Sequence, residues 1–436
     1  GYALYKNGLP RIFGHELNNV FKSHTPEVYR ICLTLLQVSR SIPAWKKVDS
    51  STITNTFSGD ESIFNEFSAA MPELMERLPL SSNRQPWSDL HLATTMGPIG
   101  PSMLTATELI PLFLKKFTHL KEKLSFSPLV DYIERFKDLA PVWNILYASK
   151  TSKVLRRLGV VPDTDGKSRV IGILDYWSQS ILKPIHKDLM ETLRSLGGRG
   201  PDLTFGQDIK PFGPEESPYY SIDLTAATDR FPVKITETVL SYIYDPEYAE
   251  AWRELMTSEP FLFGDKEYKY SVGQPMGAYS SWASFSISHH FIVQFAALRL
   301  GLPRFKDYKL LGDDIVIRNK DVADEYMKIM CSLGVEVSPH KTLISNNSFE
   351  FAKRFFLNGT EVTGFPIHGL AKTLSRWTEV VSVLMESERR NFPALFSLSR
   401  TAIIELYRSL RSNRIEGFEK YSNRFIFRLN RKMLVL

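Results

Sequence analysis

The sequence contains few cysteines and no long apolar run. Cys32 and Cys331 are the only cysteines among 436 residues, which excludes a disulfide framework and a CxxC-type zinc site and suits a reducing compartment. No apolar run approaches the ~18 residues that a membrane-spanning helix requires, so we expect no membrane span. The chain begins with Gly1 rather than Met, so we expect a fragment or a processed product.

The composition is that of a folded protein with a large core. Hydrophobic residues make up 43% of the chain and aromatic residues 12%, which excludes a disordered polymer. A length of 436 residues predicts two or three subdomains. The 54 Lys and Arg exceed the 48 Asp and Glu, giving a net charge of +6, and this excess suits a polyanionic partner such as nucleic acid.

The hydrophobic pattern changes along the chain. Residues 1–150 are mostly helical in pattern, whereas residues 153–175 predict two strands joined by the turn "DTDG", with a helix from Trp177. Strand and helix patterns alternate over residues 218–345, and a helical pattern returns from about Thr373. One predicted N-terminal helix has an apolar face formed by Val28, Ile31, Cys32, Leu35 and Leu36.

Two adjacent acids interrupt the apolar stretch "YKLLGDDIVI". The stretch predicts two short buried strands, with Gly312 in the turn between them. Asp313 and Asp314 repel each other and lose hydration when crowded, so a fold keeps them together with a compensating partner. The turn by itself fits either a solvated hairpin tip or a metal site.

A second acidic segment, "YYSIDLTAATDRFP", precedes this turn in the sequence. Asp223 ends a predicted strand and Asp229 follows in a turn-like segment; alone, they fit a strand end and a helix cap. Together with Asp313 and Asp314, they predict carboxylates that converge on a pair of divalent cations. Two such ions roughly 3.5–4 Å apart assist in-line phosphoryl transfer, and Mg²⁺ prefers a few carboxylates plus phosphate oxygens.

Between the acidic segments lies a glycine-rich loop, "VGQPMGAYSSWASFSISHHF". The "GQPMG" portion, which ends at Gly277, predicts a flexible loop, and Ser280 or Ser281 can cap the helix that follows. The loop is either an ordinary junction or a place where a nucleic-acid backbone approaches closely. His289 and His290 have no matching metal-ligand spacing nearby, so we interpret them as helix-packing residues.

Basic residues occur on both sides of these segments. Lys167 and Arg169 alternate on one predicted strand face, with Arg156 and Arg157 on the partner strand. This pattern fits a solvated hairpin face or a cationic strip that neutralises a triphosphate. Lys341, in "SPHKTLIS", is either a surface lysine or an acid that protonates leaving pyrophosphate.

The order of these segments resembles that of viral RNA-dependent RNA polymerases. The basic hairpin corresponds to motif F of that family, the D-x5-D segment to motif A, and the glycine-rich loop with its helix to motif B. The GDD hairpin, the lysine and "FEFAKRFF" follow as motifs C, D and E. The phrases "GKSRVIGILDYWSQ", "TFGQDIK", "SIDLTAATDRFP", "GQPMGAYSSWASF", "LLGDDIVI" and "KTLISNNSFEFAKRF" are most similar to mitovirus polymerases. Narnavirus and levivirus polymerases are more distant, and the resemblance covers about residues 90–370.

The resemblance implies an α+β fold shaped as a right hand. Fingers would comprise residues 1–205, and the palm, an antiparallel sheet backed by helices, residues 206–365. The palm would contain a finger insertion around residues 232–270. A helical thumb, whether complete or incomplete, would comprise residues 366–436.

The resemblance also implies a role for each matching residue. Asp223 and Asp313 would hold two Mg²⁺ ions, for which Mn²⁺ can substitute, with Asp314 in support. Asp229 would sense the ribose 2′-hydroxyl with help from Ser281. The other nucleotide-binding residues would be Lys167, Arg169 and Gly277, Lys341 would be the acid, and "FEFAKRFF" would form a hairpin that grips the growing strand.

The sequence departs from the family pattern at two places. Many RNA polymerases have an Asn in the motif B helix that completes the ribose check, and Phe285 occupies that position here. Mitovirus relatives usually read Gly-Pro-Asn-Gly where this chain has "GPIG", with Ile99 in place of the Asn. Sugar selection would therefore depend on other contacts.

Two other functions are alternatives to RNA synthesis. A reverse transcriptase of an organellar element usually has an aromatic residue before the Asp pair and an aromatic sugar gate, where this chain has Gly312 and Thr228. A non-catalytic RNA-binding remnant of a polymerase is the other alternative, but Asp223, Asp313 and Asp314 are all intact.

The resemblance therefore predicts RNA-templated RNA synthesis that replicates a positive-strand viral RNA genome. The expected partners are an RNA template, its product strand and ribonucleoside triphosphates. The resemblance alone places the protein in the host mitochondrion.

Overall fold

The computed structural model describes residues 19, 25–38, 49–90, 93–136, 154–162, 168–197, 212, 218–367 and 383. Its helices are α1 (Pro26–Gln37), α2 (Ser51–Thr54), α3 (Ser62–Arg77), α4 (Ile110–Phe117), α5 (Ser127–Phe136), α6 (Tyr176–Gly197), α7 (Ala227–Arg230), α8 (Val233–Ile243), α9 (Pro246–Thr257), α10 (Ser281–Arg299) and α11 (Lys320–Ser332). Among these helices, none combines the length and apolar character needed to cross a bilayer.

The strands are short and belong mostly to antiparallel pairs. They are β1 (Arg157–Pro162), β2 (Ser168–Ile173), β3 (Tyr219–Ile222), β4 (Phe261–Phe263), β5 (Lys266–Tyr268), β6 (Tyr308–Leu311), β7 (Asp314–Ile317), β8 (Leu343–Ser345), β9 (Ser348–Phe351), β10 (Arg354–Leu357) and β11 (Thr360–Glu361). This mixture of helices and antiparallel sheets confirms the predicted α+β class.

The chain divides into two compact units. The first comprises residues 1–44, 164–166 and 360–436, and the second comprises residues 45–163 and 167–359. The fingers, palm and thumb boundaries given above stay a prediction. The helical pattern predicted from Thr373 lies outside the described residues, apart from residue 383.

In the first unit, α1 forms where the sequence predicts a helix. Thr25 caps it by accepting a hydrogen bond from the backbone N–H of Val28 at 3.4 Å. Its apolar residues are less buried than the pattern suggests, because Ile31 is 51% exposed. The residue buried on this helix is Arg30, whose guanidinium donates to the backbone carbonyl of Glu361 at 2.7 Å.

The central sheet of the second unit has the strand order β6-β7-β3-β8, with every pair antiparallel. Because successive strand side chains point to opposite faces, Ile315 and Ile317 enter the main core, whereas Val316 enters a second apolar cluster. That second cluster includes Phe349 and Phe356 of the β9–β10 hairpin. The hairpin predicted at "FEFAKRFF" is therefore confirmed, and it covers one face of the sheet.

Helices cover the opposite face of the central sheet. Helix α10 is buried along most of its length and packs against α6, α8 and α11. A helix that is buried on all sides is typical of a protein interior. This packing fixes the N-terminal end of α10, which follows the glycine-rich loop.

A second sheet has the order β2-β1-β4-β5. The two predicted strands are confirmed, since β1 and β2 pair antiparallel from Arg157 opposite Ile173 to Pro162 opposite Ser168, while the predicted turn "DTDG" lies outside the described residues. The helix predicted from Trp177 begins one residue earlier, at Tyr176. The backbone N–H of Gly172 donates to the carbonyl of Met276 at 2.6 Å and thereby ties β2 to the glycine-rich loop.

Candidate active site

Asp223 and the Gly312–Asp313 turn lie at the same end of neighbouring strands. Ile222, the last residue of β3, pairs with Ile315 of β7, and Asp223 follows directly. The two-residue turn that contains Asp313 joins β6 to β7. The antiparallel register therefore brings together carboxylates that are far apart in the sequence.

Asp314 lies among other acids. Burial, together with the neighbouring charges of Asp313 and Glu350, raises the pKa of its carboxyl group to about 7. Lys353 opposes this shift, and Asp223 adds a smaller upward contribution. A carboxyl group in such surroundings becomes easier to ionise when a cation is bound nearby.

Lys341 contacts the first of these acids directly. Its Nζ lies 2.8 Å from Oδ2 of Asp223. The backbone holds the two segments together, because the N–H of Ser338 donates to the carbonyl of Asp223 at 2.8 Å. The side chains of Lys341 and Asp223 are 54% and 37% exposed, and ion pairs this exposed contribute only about 0–1 kcal/mol to stability. The ammonium group thus lies where Asp223 would meet a metal cation.

The acids fit a metal site that the substrate completes. Among the described residues, no group of three or more His, Cys, Asp or Glu side chains is arranged to hold a metal ion. Mg²⁺ commonly binds through one or two carboxylates, and water and substrate phosphates supply the other ligands. The carboxylates of Asp223 and Asp313 lie at one end of the sheet. They suit a Mg²⁺ site of this kind, in which water and substrate phosphates supply the remaining ligands.

The glycine-rich loop is fixed against the segment that contains Asp229. The backbone N–H of Gly273 donates to the carbonyl of Asp229, and that of Gln274 donates to the carbonyl of Thr228, each at 3.1 Å. Asp229 itself lies in the one-turn helix α7. These bonds place Asp229, the loop and the start of α10 in one cluster.

Several buried polar atoms in this cluster have no hydrogen-bond partner within the described part of the chain. They are Oδ1 of Asp229, Oε1 of Gln274 and Oγ of Ser281. Burial raises the pKa of Asp229, although a hydrogen bond from Thr52 and the charge of Arg230 act in the opposite direction. A buried polar atom without a partner costs about 1–3 kcal/mol, so these atoms are suited to hydrogen bonds with a ligand.

The structure corrects the capping role predicted for Ser280 or Ser281. Helix α10 begins at Ser281, and Ser280 adopts a left-handed conformation with φ +68°. The Ser280 hydroxyl accepts a hydrogen bond from Nε1 of Trp252 at 2.9 Å, and neither serine was found to cap α10 among the described contacts. The left-handed backbone turns the Ser280 side chain toward Trp252, and the Ser281 hydroxyl keeps its capacity to bond to a ligand.

The basic hairpin contains fewer exposed cations than its sequence pattern suggests. Arg157 and Arg169 are exposed, and their register places them on the same face of the hairpin. Lys167 lies outside the described residues. The triphosphate contacts assigned to Lys167 and Arg169 stay predictions.

Arg156 does not belong to this exposed strip. It is fully buried, and its guanidinium donates to the carbonyls of Leu255 and Met256 at the end of α9. Burial lowers the pKa of Arg156 to about 10, with Asp175 and Glu259 opposing the shift. Arg156 therefore joins the hairpin to a helix end, where cations are favoured.

His289, His290 and Phe285 are core residues. Both histidines are fully buried, which confirms their predicted packing role. Phe285 is 2% exposed and makes an edge-to-face contact with Phe231, with ring centroids 5.2 Å apart. The position that holds an Asn in many RNA polymerases is therefore apolar here, and it offers no hydrogen bond to Asp229.

A cavity of about 470 Å³ lies beside the glycine-rich loop. Its lining includes Thr95, Ile173, Gln179, Gly277 and Tyr279, and no charged side chain among the described residues. Gln179 shapes its wall: the side-chain Nε2 donates to the carbonyl of Gly277 at 3.0 Å, and Oε1 accepts from the N–H of Tyr279 at 2.9 Å. An uncharged cavity of this kind suits a flat neutral group better than a phosphate.

Gly277 cannot be replaced easily at the edge of this cavity. Its φ is +106°, and a Cβ atom there would lie 2.8 Å from the carbonyl oxygen of Gly172. Both the left-handed backbone and the close approach of β2 require a glycine. The sequence predicts a flexible loop here, whereas the structure shows a loop held by specific contacts.

Sequence reasoning missed several residues of this site. The hydroxyl of Thr52 donates to Asp229, but no sequence motif around Thr52 predicts this contact. The motif phrases that carry the family resemblance also contain Gln179, Gln274 and Glu350. Each is a polar residue among apolar neighbours, and this pattern could have identified it as a site residue.

The fold is that of a viral RNA-dependent RNA polymerase. The chain is similar to the crystal structure of the insertion-loop deletion mutant of the RNA-dependent RNA polymerase of a human picobirnavirus, with a TM-score of 0.55. This similarity covers 93% of the chain and 87% of that protein, at 13% sequence identity. At such low identity the comparison establishes the architecture alone.

The sequence matches the mitovirus RNA-dependent RNA polymerase family over residues 85–433, and the chain belongs to that family. It is 32% identical to the RNA-directed RNA polymerase of Cryphonectria parasitica mitovirus 1 over 406 residues, which are 86% of this chain and 47% of that protein. The chain thus spans about half the length of this relative.

Two shorter relatives are uncharacterized mitochondrial proteins of Arabidopsis thaliana. One is 40% identical over 148 residues, covering 31% of this chain and 59% of that protein. The other is 35% identical over 157 residues, covering 33% of this chain and 75% of that protein.

Proposed function

We propose that this chain carries the active site of a polymerase that synthesises RNA on an RNA template. The observation that carries the proposal is the meeting of Asp223, Lys341 and the Gly312–Asp313 turn at one end of the central sheet. Family membership supports the same reaction. The substrates would be an RNA template, its growing product strand and ribonucleoside triphosphates.

In this reaction the 3′-oxygen of the product strand bonds to the α-phosphorus of the incoming nucleotide. The bond from that phosphorus to the bridging oxygen breaks, the hydroxyl proton is released, and pyrophosphate leaves. Asp223 and Asp313, with Asp314 beside them, would hold Mg²⁺ or, in its place, Mn²⁺. When bound, a pair of such ions stabilises charge on the attacking and leaving oxygens.

The other side chains would bind the nucleotide and move a proton. Lys341 would give a proton to the leaving pyrophosphate, since its ammonium group already lies beside Asp223. Arg169, with Lys167, would neutralise the triphosphate. Asp229 and Ser281 would contact the ribose through their unpartnered oxygens.

The uncharged cavity beside Gly277 would accept a base of the RNA. Its lining supplies amide and hydroxyl groups, such as those of Gln179 and Tyr279, without a phosphate-binding cation among the described residues. Replication of a positive-strand viral RNA genome in the host mitochondrion would be the biological setting. The family match and the two mitochondrial plant relatives support that setting.

The test is extension of a primed RNA template with Mg²⁺, using ribonucleotides and deoxyribonucleotides in parallel. We expect ribonucleotide extension that Asp313→Asn abolishes while RNA binding and thermal stability stay unchanged. Extension with deoxyribonucleotides alone would instead indicate a reverse transcriptase. RNA binding without extension would indicate a non-catalytic RNA-binding protein. This alternative is included because the chain matches 47% of the length of the mitovirus polymerase.

A further inference from the structure

A hydrogen bond joins Asp229 to a residue far away in the sequence. The hydroxyl of Thr52, on the short helix α2, donates to Oδ2 of Asp229 at 2.8 Å. The other carboxylate oxygen, Oδ1, is buried and has no hydrogen-bond partner among the described residues. One oxygen of Asp229 is therefore fixed by the protein, and the second is left to accept a hydrogen bond from a ligand.

The segment that carries Thr52 is held in place by contacts that do not involve the Asp229 carboxylate. The backbone N–H of Ser271 donates to the carbonyl of Ile53 at 3.0 Å, and the Ser271 hydroxyl donates to the carbonyl of Thr54 at 2.7 Å. Ile53 is 1% exposed. Thr52 is thus presented to Asp229 from a fixed backbone.

The cation next to Asp229 in the sequence does not replace this contact. The guanidinium of Arg230 donates to the carbonyl of Asn55 at 2.6 Å and to that of Thr56 at 3.0 Å. Arg230 therefore fastens the segment that follows α2. Phe231, two residues after Asp229, is buried and packs edge-to-face against Phe285, so neither ring supplies a hydrogen bond to Asp229.

We propose that Thr52 is a positioning residue for sugar recognition. It holds Asp229 so that Oδ1 accepts the hydrogen bond of the 2′-hydroxyl of an incoming ribonucleotide. Ser281 adds a second buried oxygen without a partner in the described part of the chain. This inference rests on the proposed function and specifies how the same site distinguishes ribose from deoxyribose.

The test compares Thr52→Val, which keeps the side-chain shape, with Thr52→Ser, which keeps the hydroxyl. We would measure kcat and KM for ATP and for 2′-deoxy-ATP in primed extension by the full chain. A hydrogen bond to a charged group is worth about 1.5–3 kcal/mol, so Thr52→Val should lower the ratio of kcat/KM for ATP to that for 2′-deoxy-ATP about 10-fold or more. The ratio should fall because kcat/KM for ATP falls, while kcat/KM for 2′-deoxy-ATP stays near the wild-type value. Thr52→Ser should keep the wild-type ratio.

Ser271→Ala is the matched control. It removes a hydrogen bond to the same segment without touching the Asp229 carboxylate, so it should leave the sugar ratio unchanged. An equal loss for both nucleotides in Thr52→Val, or a ratio that stays within twofold of the wild type, would overturn the positioning role. A ratio that falls as far in Ser271→Ala as in Thr52→Val would also overturn it, because general docking of the segment would then be responsible.

Asp229→Asn separates this inference from the proposed function. If Asp229→Asn lowers the sugar ratio and Thr52→Val does not, the role of Thr52 fails while RNA synthesis and the role of Asp229 stand. If the wild-type chain extends no primer with ribonucleotides, the proposed function fails and this inference fails with it. Thermal denaturation of each variant shows whether a lost activity reflects lost folding.

Discussion

Nδ1 of His289 lies 2.8 Å from the carbonyl oxygen of Gly312, in the turn that carries Asp313. Nε2 of the same ring lies 2.6 Å from the hydroxyl of Tyr326. Because a carbonyl oxygen only accepts hydrogen bonds, Nδ1 carries the proton and Nε2 accepts from Tyr326. A neutral, buried histidine on α10 thus holds the candidate catalytic turn in place.

Tyr326→Phe should weaken both the fold and the reaction. Loss of the hydroxyl leaves the buried Nε2 of His289 without its donor, which we expect to cost about 1–3 kcal/mol in urea denaturation. Primer extension should fall as well, because His289 can then shift and move Gly312.

Tyr308→Phe provides the control for this change. Its hydroxyl lies 2.8 Å from Nδ1 of His290, in equally buried surroundings but away from the Gly312–Asp313 turn. A similar loss of stability with a smaller loss of extension is expected. Equal losses of extension in both variants would contradict a specific role for the His289–Tyr326 pair.

The stability of the protein should decrease in mild acid because of His289. Burial lowers the pKa of His289 from 6.5 to about 4 in the folded state. The unfolded chain therefore binds more protons between these values, so this contribution is complete above pH 6.5 and is lost as the pH falls toward 4. The shift corresponds to about 3 kcal/mol.

Urea denaturation of the wild type and of His289→Gln across this pH range measures that contribution. The difference between the two free energies of unfolding should shrink as the pH falls from 7 to 4. Parallel profiles would show that His289 is not kept neutral by the fold.

Gly312→Ala should destabilise the candidate catalytic turn for two reasons. The φ of Gly312 is +65°, and a Cβ atom there would lie 2.7 Å from Nε1 of Trp282. Gly301→Ala is the matched control, since Gly301 has a φ of +68° and nothing within 4 Å of its Cβ position. We expect about 1 kcal/mol of destabilisation for Gly301→Ala and about 2–3 kcal/mol for Gly312→Ala.

Differential scanning calorimetry and primer extension would measure these effects. Extension should be lost in Gly312→Ala and kept in Gly301→Ala. A Gly312→Ala variant as stable and active as Gly301→Ala would show that Trp282 does not constrain the turn.

Asp314→Asn should stabilise the protein when metal is absent. Because the pKa of Asp314 is raised to about 7 by burial and by Asp313 and Glu350, the folded state binds more protons than the unfolded chain between pH 4 and 7. Stability from this group is therefore lost progressively as the pH rises from 4 to 7, and the loss is complete above pH 7. In EDTA at pH 8, the free energy of unfolding of Asp314→Asn should exceed that of the wild type by on the order of 4 kcal/mol, and at pH 5 by less than half as much.

Asp265→Asn is the control, because Asp265 is an exposed acid in the β4–β5 turn. It should change the free energy of unfolding by less than about 0.5 kcal/mol at either pH. Adding Mg²⁺ at pH 8 should stabilise the wild type more than Asp314→Asn. If Mg²⁺ does not raise the free energy of unfolding of the wild type, the result would contradict a cation site at this turn.

Local sequence patterns were enough to predict the strands and the acidic residues at their ends. Short apolar runs beside "GDD" and "SIDLTAATDRFP" predicted β6, β7 and β3, and the structure has each of them. Local patterns suffice there, because period-two alternation and turn residues act between neighbours in the chain. The order of the motifs also predicted the family to which the chain belongs.

Which side chains become partners depends on packing between segments that are distant in the sequence. The bond from Thr52 to Asp229, the burial of Arg156 and the pairing of Lys341 with Asp223 all join distant segments. A basic residue before a strand has the same local pattern whether it faces solvent or a helix end, and only packing distinguishes the two. The unpartnered oxygens of Asp229 and Ser281 are likewise products of packing, because burial removes water from them without supplying a protein partner among the described residues.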